Sequence, residues 1–496
     1  MWCSLTRDSQ SEVPRTMPMP ASGSDLAPPS PAADPTPSAS PRRFTPARPA
    51  VPATVPPLYW PVDVLRMDPL AVWPQAAYEE ETYERNFLGL RRRLLNAPDA
   101  IRHVLIDNYG NYRRAPGAAR VLRPLAGDGL LLSEGDDWKH QRRTIAPALT
   151  PRSVPLLARH AVTAAEETLA ALRARPDQPL NLLSAMQQLA LEIAGRSMFS
   201  LEMGEHGPAL REYIARFSGS LGRASLIDMI LPRSMSAPRD YARRRYQARW
   251  MQLIDRIMET RMRAAATDRP RDLFDLLVAA RDPETGTPFT RPQLRDQVAT
   301  MIAAGHETTG TTLFWALYLL ASAPWEQDRV AAEARDVAIG ESTVEQALPK
   351  LAYARAVVSE ALRLYPPAAI ISRQAIGADR AGGIGIAAGS QVVIMPWVLH
   401  RHRRRWTDPD VFDPARFLPG APPPDRFAYL PFSVGPRVCV GAAFAMAEAT
   451  LILAMIVRTF RVELDDPEPI LPVGQMTLQP SRPGWFRLRP RTDAEV

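Results

Sequence analysis

Between Pro292 and Pro324 the chain runs without a proline, in a sequence of 496 residues that holds 51 of them. No other interval constrains the fold as strongly. Thr290 followed three residues later by Gln293 reads as a capping box, with Pro292 tolerated in the first turn and Pro324 unable to continue a helix. The interval predicts a helix of about 30 residues, which at about 1.5 Å per residue is about 45 Å long and crosses a whole domain. Its apolar residues, from Val298 and Ile302 to Phe314, Trp315, Leu317 and Leu320, wrap nearly all round the axis, the pattern of a buried helix. Glu307 at mid-span argues against a membrane span. The centre, Ala304-Gly305-His306-Glu307-Thr308-Thr309, is poor helix material. Glycine costs up to about 1 kcal/mol relative to alanine there, and threonine can bond a carbonyl one turn back and distort the helix. Something other than helix stability must account for these residues.

A second segment, Phe432-Ser433-Val434-Gly435-Pro436-Arg437-Val438-Cys439-Val440-Gly441, holds one of the chain's 2 cysteines. At the chain's own residue frequencies the pattern F-x-x-G-x-R-x-C-x-G would arise about twice in a hundred thousand such chains. A lone buried cysteine acting as a small hydrophobe would leave its neighbours unexplained. Gly435 and Gly441 let the backbone turn sharply and lie against something flat, with amide N–H groups free to point at a sulfur. Arg437 adds a cation. Such surroundings stabilise a thiolate, the soft ligand that iron in a porphyrin accepts. Cys439 therefore reads as the proximal ligand of a haem. The segment closely resembles the cysteine loop of the cytochrome P-450 family at all five fixed positions, Phe432, Gly435, Arg437, Cys439 and Gly441. The resemblance implies haem b, with Cys439 as axial thiolate and Phe432, Arg437 and Gly441 beside it.

The centre of the long helix then resembles the family's acid and alcohol pair, carried here by Glu307 and Thr308. Activating oxygen requires protons, which an acid beside a hydroxyl can relay through water, and Gly305 leaves room for oxygen against the helix. His306 falls at a variable position and takes no role. Glu360-Ala361-Leu362-Arg363 sets an acid and a base three apart on one helix face. With Asp413-Pro414-Ala415-Arg416-Phe417 about fifty residues on, it resembles the family's buried network of Glu360, Arg363 and Arg416 behind the cysteine loop. Ala415 stands where the family often has glutamate. Haem propionates need cationic or hydrogen-bonding partners. Trp138 and Arg142, four apart, match the family's W-x-x-x-R signature, and Arg373 and Arg437 are the other expected partners.

Length alone suggests roughly three domains. The resemblance spans about 60 to 490 and implies one large domain, residues 58–496, mainly α with small β-sheets and the haem between the long helix and the cysteine loop. Short strands are expected near 390–395 and 484–488. Residues 1–57, dominated by Pro, Ser and Ala, are expected to stay unfolded; Met17 and Met19 inside this stretch allow a later start. Cys3 and Cys439 leave no disulfide framework, which fits a reducing compartment. No apolar run of about 20 residues opens the chain, so the expectation is a soluble, cytoplasmic, bacterial-type protein without a membrane anchor. The net charge is +7, almost all of it from arginine, and no nucleic-acid motif accompanies it. Arg401-His402-Arg403-Arg404-Arg405 reads equally as a face for an acidic redox partner and as a solvated turn.

The implied function is a haem-thiolate monooxygenase that takes two electrons from a separate donor, a ferredoxin or flavodoxin type with its NAD(P)H reductase. It would hydroxylate or epoxidise a lipophilic substrate using O2. The alternatives are a peroxide-driven or isomerising haem-thiolate enzyme, and a non-catalytic haem-binding sensor. By analogy substrate contacts come from Tyr109 to Gly129, Gly207 to Trp250, Ala368 to Ile371 and Val473 to Leu478. Fatty acids, terpenoids and polyketides stay open, with a slight lean to the fatty-acid hydroxylase branch.

Overall fold

The computed structural model describes residues 43–53, 68–87, 90–201, 206–223, 225, 227–228, 231, 235–263, 271–466 and 468–492. Of the stretch expected to stay unfolded, 1–42 and 54–57 lie outside the described residues. Residues 43–53 pack on the body. Phe44 forms an antiparallel bridge with Phe412 and lies against the main core, while Arg43 and Arg48 pair with Asp408 and Asp410 at 2.8 and 3.2 Å.

The principal helices are α1 (Pro116–Ala126), α2 (Gly135–Ile145), α3 (Val154–Arg173), α4 (Leu182–Phe199), α5 (Gly207–Arg216), α6 (Pro238–Arg263), α7 (Arg291–Ser322), α8 (Pro324–Arg335), α9 (Ala352–Leu364) and α10 (Ala442–Thr459). Thr290 and Gln293 close the predicted capping box on α7, which runs 32 residues before Pro324. Its weak centre remains helical. Thr308, Thr311 and Thr312 return their hydroxyls to the carbonyls of Ala304, Glu307 and Thr308 at 2.6, 2.8 and 2.8 Å, so the polar groups are satisfied without a break.

α7 touches α1, α4, α6, α9, α10 and strand Phe460–Leu464. Its first half, to Ala303, belongs to one hydrophobic core with α4 and α6; from Leu313 onward it belongs to another with α3, α9 and α10. The segment from Ala304 to Thr312 lies at the seam between them. At Gly310 a Cβ would meet the Cα of Gln187 at 3.0 Å, so the glycine permits the close crossing of α7 over α4. α10 is long and apolar enough for a membrane span, with mean hydropathy 1.6, but 67% of it is buried inside the fold, where it packs on α3, α7, α8 and α9.

The strands are β1 (Thr82–Phe87), β2 (Leu90–Leu95), β3 (Tyr112–Arg114), β4 (Leu180–Asn181), β5 (Ile371–Ala375), β6 (Asp379–Ala381), β7 (Ile384–Ile386), β8 (Gln391–Ile394), β9 (Phe460–Leu464), β10 (Pro472–Gly474), β11 (Leu478–Pro480) and β12 (Trp485–Pro490). The largest sheet has order β1-β2-β8-β5-β3 and places Arg114 opposite Arg373. β10 and β11 form a hairpin, and β4-β12-β9 a second sheet. β8 and β12 are the two strands expected from the sequence.

The arginine cluster at 401–405 is in part the solvated turn expected of it, with Arg403 and Arg404 exposed, and in part buried. Arg401 is buried over the Trp397 ring at 3.7 Å and donates to the carbonyl of Leu364, and His402 is buried. Arg403 pairs with Glu79 at 2.9 Å and Arg405 with Glu81 at 2.5 Å, with Arg404 3.9 Å from Glu81. The segment is a fastener to the chain just before β1, its charge largely offset where it stands.

Candidate active site

The cysteine loop is shaped by contacts that only certain residues allow. Gly435 has φ +74°, and a Cβ there would lie 2.4 Å from the Leu105 carbonyl oxygen, so both the turn and the packing exclude a side chain. The Cys439 N–H donates to the Phe432 carbonyl at 3.0 Å and the Val438 N–H to that of Gly435 at 3.0 Å. Arg142 Nη1, reaching from α2, donates to the Val438 carbonyl at 2.8 Å. The predicted W-x-x-x-R arginine thus fastens the residue preceding the cysteine.

The Cys439 side chain is solvent-accessible yet lies deep among protein atoms. That burial pushes its thiol up, while the Gly441 N–H and the Arg142 cation pull it down. A sulfur so placed, just ahead of the N-terminus of α10, can take a soft metal. On α7, Ala304 is exposed and Gly305 and Thr308 are partly exposed, in a helix whose flanking turns are buried. A Cβ at Gly305 or at Gly441 would touch nothing within 4 Å.

Beside the loop three guanidiniums crowd together. Arg437 stacks over Trp138 at 4.3 Å, donates to the Ser133 carbonyl at 3.1 Å and pairs with Glu134. Arg373 is buried on β5 and Arg114 faces it on β3. Burial, then the neighbouring Arg373 and Arg437 cations, lower Arg114 to about 9; burial, then Arg437, lower Arg373 to about 10. Arg114 Nε is buried without a hydrogen-bond partner. Three cations around the Glu134 carboxylate make a site that can accept an anion. Trp138, Arg373 and Arg437 were read from the sequence. Arg114 and Glu134 were not, because only the β3–β5 register and the fold of α2 bring them there.

The remaining predicted residues fall into two groups. Glu307 is buried, with Oε1 accepting from Thr477 Oγ1 and Gln479 Nε2, each at 2.8 Å, and Oε2 from Ser218 Oγ at 3.1 Å. Burial raises its pKa, and those three hydrogen bonds lower it. Thr308 Oγ1 donates to the Ala304 carbonyl, so the adjacent acid and alcohol are not hydrogen-bonded to one another. His306 lies buried, and that burial lowers its pKa to about 4. Behind the loop, Glu360 and Arg363 are fully buried and bidentate at 2.6 and 2.7 Å. Arg363 also donates to the carbonyls of His400, Pro409 and Val411 at 2.9, 2.5 and 2.8 Å. Arg416 Nε stands 3.6 Å from Glu360 Oε1, an ion-pair distance too long for a hydrogen bond. His400 completes the link. Its Nδ1 meets the Arg363 carbonyl at 3.1 Å and its Nε2 accepts the Leu430 N–H at 2.8 Å, tying α9 to the chain just before Phe432. Burial holds this histidine neutral, with a pKa of about 3.

The sequence model of the family Cytochrome P450 matches residues 84–486. The chain belongs to the cytochrome P450 family. It is 34% identical over 386 residues to cyclooctatin synthase of Streptomyces melanosporofaciens, covering 77% of this chain and 83% of that protein. It is 31% identical over 373 residues to cyclooctat-9-en-7-ol 5-monooxygenase of the same organism, covering 74% and 79%. The crystal structure of the cytochrome P450DA heme domain superimposes with TM-score 0.77 at 25% identity, covering 90% of this chain and 99% of that one. The P450 fold and a single haem-type domain follow, and the family implies haem with thiolate ligation.

Proposed function

We propose that this cytochrome P450 is a monooxygenase that receives two electrons from a separate ferredoxin- or flavodoxin-type donor and inserts one atom of O2 into a lipophilic substrate. The observation that carries the reading is the accessible Cys439 sulfur, with the Gly441 N–H and Arg142 cation turned to it, beside a surplus of buried guanidinium charge. These residues fit a haem. Cys439 would hold the iron, and Arg114, Arg373 and Arg437 the propionates, while Arg142 positions the loop through Val438. The missing contacts at Gly305 and Gly441 leave room for a flat ring. Bound there, haem brings the chemistry of oxygen activation, which a thiolate ligand favours.

The chain's own residues bind, orient and handle protons. Thr308 presents a hydroxyl on the accessible stripe of α7, and the Glu307 carboxyl, whose pKa burial raises, lies one residue away as the acid of the relay. Ala368 and Ile370 are exposed and Val440, Phe444 and Met476 partly so, which suits a hydrocarbon surface. A mostly hydrocarbon substrate, such as the alcohol named for the second relative, is preferred to a fatty acid.

The expected result for the loaded protein is a thiolate-type Soret band in the ferrous carbonyl form, lost in Cys439→Ala. A wild-type spectrum without that band would sink the reading. Thr308→Ala should keep the band but lower product formed per electron pair about tenfold or more, with peroxide released instead. Tight coupling in that variant would remove Thr308 from the relay. Screening hydrocarbon alcohols for the shift of ferric haem to high spin identifies the substrate.

A further inference from the structure

Glu307 is held in an unusual way for a buried acid. It is 2% exposed, and its hydrogen-bond donors are a threonine, a glutamine and a serine rather than an arginine. A carboxylate fixed by a guanidinium is kept ionised, whereas one held by neutral donors can both accept and release a proton. Neighbours one apart on a helix are turned about 100° from each other, so this carboxyl points off the face that carries Thr308.

The donors come from two elements of different firmness. Thr477 and Gln479 belong to the β10–β11 hairpin, and Gln479 Nε2 also donates to Thr477 Oγ1 at 2.6 Å. The hairpin is anchored to α7 through Trp315, whose Nε1 donates to the Leu478 carbonyl at 3.0 Å, and to the chain after α9, where the Pro367 carbonyl accepts the Leu478 N–H at 3.2 Å. Ser218 stands in a π-helical turn, Phe217–Leu221, that ends α5. Such turns are rare and cluster at functional sites. The turn is seated by Phe217, whose ring lies 5.2 Å from Tyr246 on α6. Its bond to Glu307, at 3.1 Å, is the longest of the three. The acid therefore has two arms on the anchored hairpin and one arm on the segment expected to contact the substrate.

We propose that Ser218, Thr477 and Gln479 are positioning residues for proton delivery, in which the hairpin pair aims the Glu307 carboxyl and the Ser218 arm ties it to closure of the α5 segment. This rests on the monooxygenase reading above. With the arm made, the acid and the α5 segment are locked together. With it broken, one carboxyl oxygen loses its donor while the other stays on Thr477 and Gln479, and the orientation that serves Thr308 through water is no longer held.

The test uses the full-length haem-loaded protein with Ser218→Ala, Ser218→Thr and Thr477→Val. Ser218→Ala should keep the thiolate-type spectrum and the substrate-induced spin shift, yet lower product per electron pair about fivefold, the factor one neutral hydrogen bond represents. Ser218→Thr, which keeps a hydroxyl, should restore it. Hydrogen exchange of the resting protein is read independently of turnover. Amides of 207–223 should exchange about fivefold faster in Ser218→Ala and in Glu307→Gln, and no faster in the double variant. Thr477→Val should speed exchange in 472–480 instead. Wild-type coupling and exchange in Ser218→Ala, or additive exchange in the double variant, overturns the clamp. Loss of the thiolate-type spectrum in the wild type overturns the underlying function instead.

Discussion

Glu448 lies fully buried on α10, nine residues after the cysteine, and its carboxyl meets Thr309 Oγ1 at 3.4 Å. Burial raises its pKa to about 8, and the Thr309 bond only partly offsets that. The acid is therefore protonated in the folded protein at neutral pH and ionised in the unfolded chain, whose value is near 4.5. Between those limits the native state binds the extra proton, so the contribution of Glu448 to stability is greatest below about 4.5 and is lost as pH rises through about 8. Glu448→Gln, which keeps the shape and cannot ionise, should remove this slope. Denaturant midpoints of the two proteins should converge near pH 5 and separate toward pH 8, by on the order of a few kcal/mol. Parallel curves over that range would mean that Glu448 is ionised in the native state. Arg114 is the other residue whose surroundings demand a partner. Arg114→Gln should speed haem loss to apomyoglobin about tenfold, the factor of a charge-assisted hydrogen bond, with the carbonyl spectrum of the retained haem unchanged.

At the scale of elements, α9 and the chain before the cysteine loop form one assembly. Arg363 makes five hydrogen bonds among the described residues, two to Glu360 and three to carbonyls of 400, 409 and 411. Arg363→Met would leave the Glu360 carboxylate buried with the more distant Arg416, and should cost about 3–5 kcal/mol in denaturant unfolding with loss of haem on purification. An unchanged midpoint would place the network outside the stability of the loop. This assembly was half legible. Glu360 and Arg363 share one helix face by spacing alone, and Arg416 came with the family pattern. His400 carried no local signal, since its two ring bonds join chain segments that are distant in sequence. Arg142 shows the same limit from the other side. Its place on the face of Trp138 was readable, but its reach to the Val438 carbonyl depends on how α2 docks. Arg114 sits in a strand of three residues whose register with β5 no local pattern reveals.

Across the whole molecule, the readable parts were those governed by periodicity and caps, above all α7 from Thr290 to Pro324. The five-stranded sheet joins residues 82–95, 112–114 and 371–394, and such non-local pairing is set by packing rather than by nearby residues. Charge behaves likewise. The net +7 favours encounter with an acidic electron donor, because opposite charges raise association rates at low salt. Yet the densest arginine run contributes little to that field. Arg401 is buried, while Glu79 and Glu81 stand at 2.9, 3.9 and 2.5 Å from Arg403, Arg404 and Arg405. Exposed pairs of this kind contribute about 0–1 kcal/mol to stability and cancel at a distance of a Debye length, about 8 Å at physiological salt. Replacing the two pairs Arg403–Glu79 and Arg405–Glu81 together by alanine, which leaves the net charge unchanged, should therefore change the rate of reduction by a ferredoxin less than about twofold, while raising salt slows the wild type and the variant in parallel. A variant that is reduced much more slowly, with a flatter salt dependence than the wild type, would restore the 401–405 segment as the docking face.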